Sequence, residues 1–310
     1  MAILNSGKHQ KIKNLLIKYL STYHGRFLAL GLIAALIYLP TYLFILWRTT
    51  FIDGKSTVIL NLGFLHLGIT QLWQHRSQLS QQRPHEDERF VGHFLISCGA
   101  LSLPFCLESA SLQAFVVMLV LGGVLYSSFG MQVFKNFPLS CGMLFASVYP
   151  DWAFLSNYIF HFLTGPNFLE NIMAVVGKHA LTLIGQPAIA EGPYINLPTG
   201  SVLIGSGCTG FDMAFSIAGF SFLMGIWMKQ PWTRIAIGMF FGIVLAFILN
   251  IPRIMLLTFA VVYWGKDAFE FWHGGWGGQI FAGVLFTVYY YILMPIYKSD
   301  FSLSKSKEVK

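Results

Sequence analysis

The sequence predicts an all-α polytopic membrane protein: about eight transmembrane helices, one re-entrant or interfacial helix, and a small hairpin on the outer face. Three observations carry this. Of 310 residues, 55% are apolar and only 11% charged, against about a quarter charged in ordinary soluble domains. The apolar residues form continuous runs near the ~20 residues that cross a bilayer core. The cations fall mostly on one side of those runs. Continuous runs, without period-two alternation, exclude an outer-membrane barrel. Four cysteines with no CxxC pair point away from a zinc module or a disulfide relay.

Residues 1–26 hold Lys8, Lys11, Lys13, Lys18 and Arg26 and no acid. This segment is too long and polar for a cleaved leader, and the apolar run after it, 27–47, is too long for a leader's core. Residues 1–26 therefore read as a cytoplasmic basic segment, 27–297 as a single transmembrane domain, and 298–310 as a cytoplasmic basic tail. Within the domain the expected spans are 27–47, 57–73, 90–107, 112–134, a fifth from 139 toward 164, then 209–228, 234–249 and 275–297. The fifth is broken or kinked at Tyr149-Pro150-Asp151, because proline removes a donor and clashes with the preceding turn. Residues 254–264 would rise only about 16 Å as a helix, half the hydrocarbon core. They read as re-entrant or interfacial, with the chain turning at Pro252, which disfavours a helical Ile251.

With the N-terminus inside, the inner segments hold the five cations of 1–26, Arg76, Arg83, Arg89, Lys135, Lys229, Arg234, Lys298, Lys305, Lys307 and Lys310. Only Arg48, Lys55, Lys178, Arg253 and Lys266 fall outside. This bias places both termini in the cytoplasm. It also explains the net charge of +7 without a nucleic-acid partner. The long outer segment, 165–207, divides in two. Residues 167–184 place Phe168, Ile172, Val175, Val176 and Leu183 near helical spacing, which reads as an interfacial amphipathic helix. After it, Pro187, Gly192-Pro193, Pro198 and Gly200 punctuate two β-prone pieces, 194–197 and 201–204, suited to a hairpin or an ordinary loop.

Cys98, Cys106 and Cys141 lie in apolar runs and read as small hydrophobes. Cys208 differs, lying in Gly205-Ser206-Gly207-Cys208-Thr209-Gly210-Phe211 where a loop becomes a helix. Glycines permit tight bends, and a helix start favours thiolate over thiol. Arg253, in Asn250-Ile251-Pro252-Arg253, offers fixed-charge planar donors for an oxyanion. His273, in Trp272-His273-Gly274-Gly275-Trp276, is the natural proton carrier at neutral pH. The topology brings all three to one outer face, where a cationic imidazole and guanidinium would lower the thiol pKa. Cysteine, histidine and an oxyanion donor make an acyl-transfer set. Asp212, four residues beyond Cys208, would share its helix face and pair with Arg253, orient His273, or serve as an ordinary polar residue near the interface. Asn250, Thr209 and Trp276 are supporting candidates. No metal-ligand spacing is present on this face, and no cofactor is expected.

At these residues the chain resembles the exosortase/archaeosortase family of prokaryotic membrane proteins. The family's Cys-Ser-Gly element resembles Cys208-Thr209-Gly210, with threonine for serine. Its Asn-x-x-Arg element resembles Asn250-Ile251-Pro252-Arg253, and its later histidine resembles His273. The resemblance implies a cysteine peptidase or transpeptidase in the prokaryotic plasma membrane, with its active site on the extracytoplasmic side. Its substrates would be secreted proteins with a C-terminal tail: a Pro-Glu-Pro-like motif, a hydrophobic helix and a basic end. Cys208 would form a thioester, Arg253 would stabilise the oxyanion or the thiolate, and His273 would move protons. Membrane lipid surrounds such an enzyme, and the short tail after the last span leaves room for a separate accessory membrane protein. The competing readings are a transporter, against which the scarcity of charges within spans argues, and a non-catalytic assembly protein, for which Cys208→Ala would be silent.

Overall fold

The computed structural model describes residue 18 and residues 20–298. Lys8, Lys11, Lys13, Lys305, Lys307 and Lys310, counted above in the basic terminal segments, lie outside the described residues. The described chain is an all-α polytopic membrane protein with one small sheet. Five of its helical stretches are long and apolar enough to cross a membrane: Tyr23–Phe51, Glu86–Cys106, Ala110–Phe129, Trp232–Trp264 and Gly275–Tyr297. Pro138–Val148 and Phe211–Trp227 are shorter apolar helices. Leu32, Leu36, Leu43 and Phe44 on the first helix are all exposed. An apolar surface of this extent fits hydrocarbon, not water.

The chain forms two compact units, Met1–Phe44 with Phe64–Pro150 and Ile45–Gly63 with Asp151–Lys310. In the first unit α1 (Tyr23–Phe51) and α2 (Thr57–Gln74) each contribute part of their length. A short α3 (Arg76–Gln81) follows, then α4 (Glu86–Ser102), extended by a 3-10 turn through Cys106, and α5 (Ala110–Phe129). The backbones of α4 and α5 come very close: a Cβ on Gly92 would strike Ser127, and one on Gly123 would strike the Gly92 carbonyl. Small residues serve this purpose where lipid, not water, surrounds a helix pair.

The expected fourth span, 112–134, stops early. Gly130 adopts φ +69°, ending α5, and a separate α6 (Met131–Asn136) begins. Glu88 Oε1 accepts from the Met131 N–H at 2.9 Å, supplying a cap. The break predicted at Tyr149-Pro150-Asp151 is present between α7 (Pro138–Val148) and α8 (Trp152–Thr164). The carbonyls at the end of α7 lack helical donors. Tyr38 and Tyr42 of α1 donate to Val148 O and Ser147 O, both at 2.9 Å.

The second unit is built around α11 (Trp232–Phe259). α8 starts on Asp151, whose Oδ1 accepts from Phe154 N–H at 3.0 Å. α9 (Phe168–Leu183) is the predicted amphipathic helix. Its buried face is Leu169, Met173, Ala174, Gly177 and Leu181, whereas Phe168, Ile172, Val175 and Leu183 are exposed. The hairpin expected after it has one more strand. β1 (Ile189–Glu191), β2 (Tyr194–Leu197) and β3 (Gly200–Leu203) form an antiparallel meander. Ile195 of β2 and Ile254 of α11 pack so close to Gly177 that a Cβ there would meet both at 2.9 Å.

α10 (Phe211–Trp227) and α11 (Trp232–Phe259) follow. The turn expected at Pro252 is absent. α11 runs through Pro252 and ends in a π-helical turn, Ala260–Trp264, so residues 254–264 continue the same helix and are not a separate re-entrant piece. Proline costs the Ile248 carbonyl its partner, a loss that packed membrane helices tolerate. The 33-residue stretch Trp232–Trp264 is about 50 Å long against a core of about 30 Å. It is long enough to cross once and extend beyond. α12 (Lys266–His273) and α13 (Gly275–Lys298) complete the unit. Two cores flank α11. Ala214, Ile217, Leu285 and Tyr289 pack around Ala246 on one side. On the other, Leu169, Met173, Ile195, Ile204 and Cys208 pack with Ile254 and Leu257.

Candidate active site

The Cys208 loop has a fixed shape. Ser206–Cys208 form one 3-10 turn, closed by Cys208 N–H to Gly205 O at 2.8 Å. The Thr209 hydroxyl donates back to Ser206 O at 2.9 Å and accepts from Phe211 N–H at 3.3 Å, at the start of α10. Gly210 has φ +81°, and a Cβ there would meet Asn250 Cγ at 2.8 Å. Asn250, fully buried on α11, donates from Nδ2 to Cys208 O at 2.8 Å. The Cys-Thr-Gly and Asn-x-x-Arg elements therefore touch directly: the asparagine ties the cysteine carbonyl, and glycine makes room for it. Gly210→Ala combines a left-handed backbone with a clash and is expected to destabilise by about 2–4 kcal/mol. A thermal melt of the detergent-solubilised protein would show this, and an unchanged midpoint would contradict it.

Arg253 lies three residues beyond Asn250, on the same face of α11, and is 6% exposed. His273 ends α12, its ring stacked on Phe269 with centroids 4.9 Å apart. Its Nδ1 is 3.4 Å from Cys208 Sγ. Cys208 itself is 6% exposed. The Arg253 charge acts on Cys208, His273 and Asp212. Cys208 and His273, 65 positions apart, thus meet directly, and Arg253 lines one of the cavities that His273 borders.

The expected thiolate is not the resting form. Burial pushes the Cys208 thiol above its ordinary pKa, and the Arg253 charge offsets this only in part. Desolvation first, and then Arg253, holds His273 below its ordinary range. At neutral pH the pair is a thiol facing a neutral imidazole. The sulfur belongs to an apolar core cluster, and a low dielectric disfavours the ionised form.

Asp212 also differs from expectation. The left-handed Gly210 separates Cys208 from α10, so Cys208 and Asp212 do not share a helix face. Asp212 Oδ2 pairs with Lys55 Nζ at 3.4 Å, not with His273 or Arg253. The same Nζ lies 3.3 Å from Asp151 Oδ2. Burial opposes the Lys55 charge, but Asp212 and Asp151 more than compensate and hold its pKa above the ordinary value. Trp276, expected in support, is instead 75% exposed.

Two cavities meet at His273. One, about 510 Å³, is lined by Lys55, Tyr158, His161, Asp212, Arg253 and His273. The other, about 560 Å³, is lined by Cys208, Val202, Leu203, Phe269 and His273. Across the Gly205-Ser206 turn, His161 Nε2 lies 3.3 Å from Glu170 Oε1, beside a third space of about 520 Å³. Lys55, Asp151, His161 and Glu170 were not singled out by the sequence reading. An acid in the first turn of an apolar helix, as Asp212 is, needs a cation nearby, and Lys55 was one of only five outer candidates.

A family model described as transmembrane exosortase matches residues 53–290, which include Lys55, Cys208, Arg253 and His273. This chain belongs to the transmembrane exosortase family. No curated protein and no solved structure matches it. Membership makes this exosortase a multi-pass member of a membrane protein-sorting family, and the match extends over α2 to α13.

Proposed function

We propose that this exosortase is a membrane-embedded cysteine peptidase or transpeptidase that removes C-terminal sorting tails from secreted proteins through a Cys208 thioester. The observation that carries the reading is the 3.4 Å approach of Cys208 Sγ to His273 Nδ1, beside a buried guanidinium. Cys208 attacks the peptide carbonyl while its proton passes to His273 Nδ1. The resulting oxyanion faces Arg253, whose fixed charge and planar donors suit it. Collapse breaks the C–N bond, and His273 returns the proton to the leaving amine of the tail. An acceptor amine or water then attacks the thioester, gives its proton to His273, and the thiol is regenerated from thiolate and imidazolium. A neutral thiol–imidazole pair is poised for this because the base can accept the proton only when uncharged.

We place the site on the extracytoplasmic side, following the cation bias, with 1–26 and 298–310 as cytoplasmic segments flanking one functional domain, 27–297. The Pro-Glu-Pro-like tail is the substrate motif that the family resemblance implies, and the sheet of β1–β3 beside the Cys208 cavity is suited to hold it. A secreted reporter carrying such a tail, expressed with and without this chain, tests the reading. A shortened reporter is expected only when both chain and tail are present. Equal shortening without the chain, or intact reporter with it, sinks the proposal.

A further inference from the structure

A buried arginine beside an aspartate normally pairs with it, since the guanidinium fork matches a carboxylate. Arg253 does not. Its Nε is buried without a hydrogen-bond partner. Among the described residues no carboxylate lies within ion-pair distance of it. Its aromatic neighbour is the Phe281 ring, 6.0 Å away. Asp212 is nevertheless close: Asp212, Arg253 and Lys55 line one small cavity of about 30 Å³. Lys55 holds the Asp212 carboxylate at 3.4 Å and the Asp151 carboxylate at 3.3 Å. Asp53, at the rim of the same cavity, is exposed.

We infer that Lys55 is a positioning residue: by occupying the carboxylates of Asp212 and Asp151 it keeps the Arg253 guanidinium unpaired and available to Cys208 and to the reacting carbonyl. The inference rests on the thioester reading above for its purpose, but not for its geometry. Lys55, Arg253, Asp151 and Asp212 together sum to no net charge. The buried guanidinium is thus balanced by its surroundings without spending its donors on a contact. Asp151 is committed twice, to Lys55 and to the Phe154 N–H that starts α8. Among the described residues Asp212 has no such second anchor, and without Lys55 it is the carboxylate free to turn to Arg253.

The test uses the full chain in detergent and reads Cys208 alkylation by iodoacetamide across pH, by peptide mass spectrometry. The rate follows the thiolate fraction, which an unpaired Arg253 raises. Lys55→Met is expected to slow labelling at about pH 8 by roughly threefold or more, as Asp212 captures Arg253. Lys55→Met with Asp212→Asn is expected to recover to within about twofold of the parent, and Lys55→Arg to stay near it. A double variant as slow as Lys55→Met, or a Lys55→Met as fast as the parent, overturns the inference. Should Lys55→Met not accumulate in membranes, Asp212→Asn alone decides. Its labelling is expected to be no slower than the parent's, and labelling as slow as in Arg253→Met overturns the claim. Tail processing by the same variants separates the two ideas. Full processing by Cys208→Ala defeats the thioester reading whatever the alkylation series shows. A dead Cys208→Ala with an unrestored double variant defeats only the role of Lys55.

Discussion

Cys208→Ala is expected to abolish tail processing, a loss of at least about 10³-fold and up to about 10⁶-fold, because in the proposed mechanism the sulfur forms the acyl-enzyme. The substitution removes one sulfur from a buried cluster, costing about 1 kcal/mol in packing, so the protein should accumulate normally. Cys208→Ser keeps a nucleophilic atom near His273 Nδ1. The hydroxyl is far less acidic and less nucleophilic than the thiol, so a small residual rate above the alanine variant is expected. Three further cysteines are free thiols and serve as controls: Cys98 is exposed, Cys106 half-buried and Cys141 buried. Processing assays on Cys98→Ala and Cys106→Ala should match the parent. Loss in those variants with activity kept in Cys208→Ala would reverse the assignment.

The second large effect concerns His273 and pH. Moving a proton with a positioned imidazole contributes about 10²–10⁴-fold, so His273→Gln should lose that much at neutral pH. The pH profile adds a sign. His273 accepts the thiol proton only when neutral, and its pKa lies below the ordinary histidine value of about 6.5. Parent activity should therefore rise on the acid side of about pH 6.5 and stay level through neutrality. The Cys208 thiol, held above its ordinary range by burial, does not ionise in that window. Without His273 the thiolate must form by loss of the proton to solvent. The rising limb in His273→Gln is then expected to move past about pH 8.5, the ordinary thiol range. A variant profile that keeps the parent's acid limb would show that another group supplies it.

The all-α polytopic architecture was legible because continuous apolar runs report on the bilayer and not on packing detail. The break at Pro150 was legible for a local reason: proline and an N-capping aspartate stand side by side. The same reasoning failed at Pro252, where packing of Ile254 and Leu257 against α9 and β2 outweighs one lost hydrogen bond. The face of α9 that packs on the protein was not legible from its large apolar residues. In a chain surrounded by lipid, large apolar residues such as Ile172 and Leu183 are as content outside as inside. The small residues Ala174 and Gly177 mark the packed face instead. At the site, the approach of Cys208 to His273 was legible through short motifs at helix ends. The burial of Cys208 and Arg253 was not, and burial of the sulfur favours a thiol over the expected thiolate. Lys55 and Asp212 lie too far apart in sequence for any spacing rule to join them. Gly210 separates Asp212 from the cysteine it was expected to face.

The most direct measurement is the mass of the covalent intermediate. Purified chain mixed with a tailed peptide and quenched in acid should carry, on the peptide containing Cys208, the substrate mass less its tail, as an adduct released by hydroxylamine. An adduct on any other residue, or tail release with the Cys208 peptide unmodified at every time point, would contradict the cysteine mechanism.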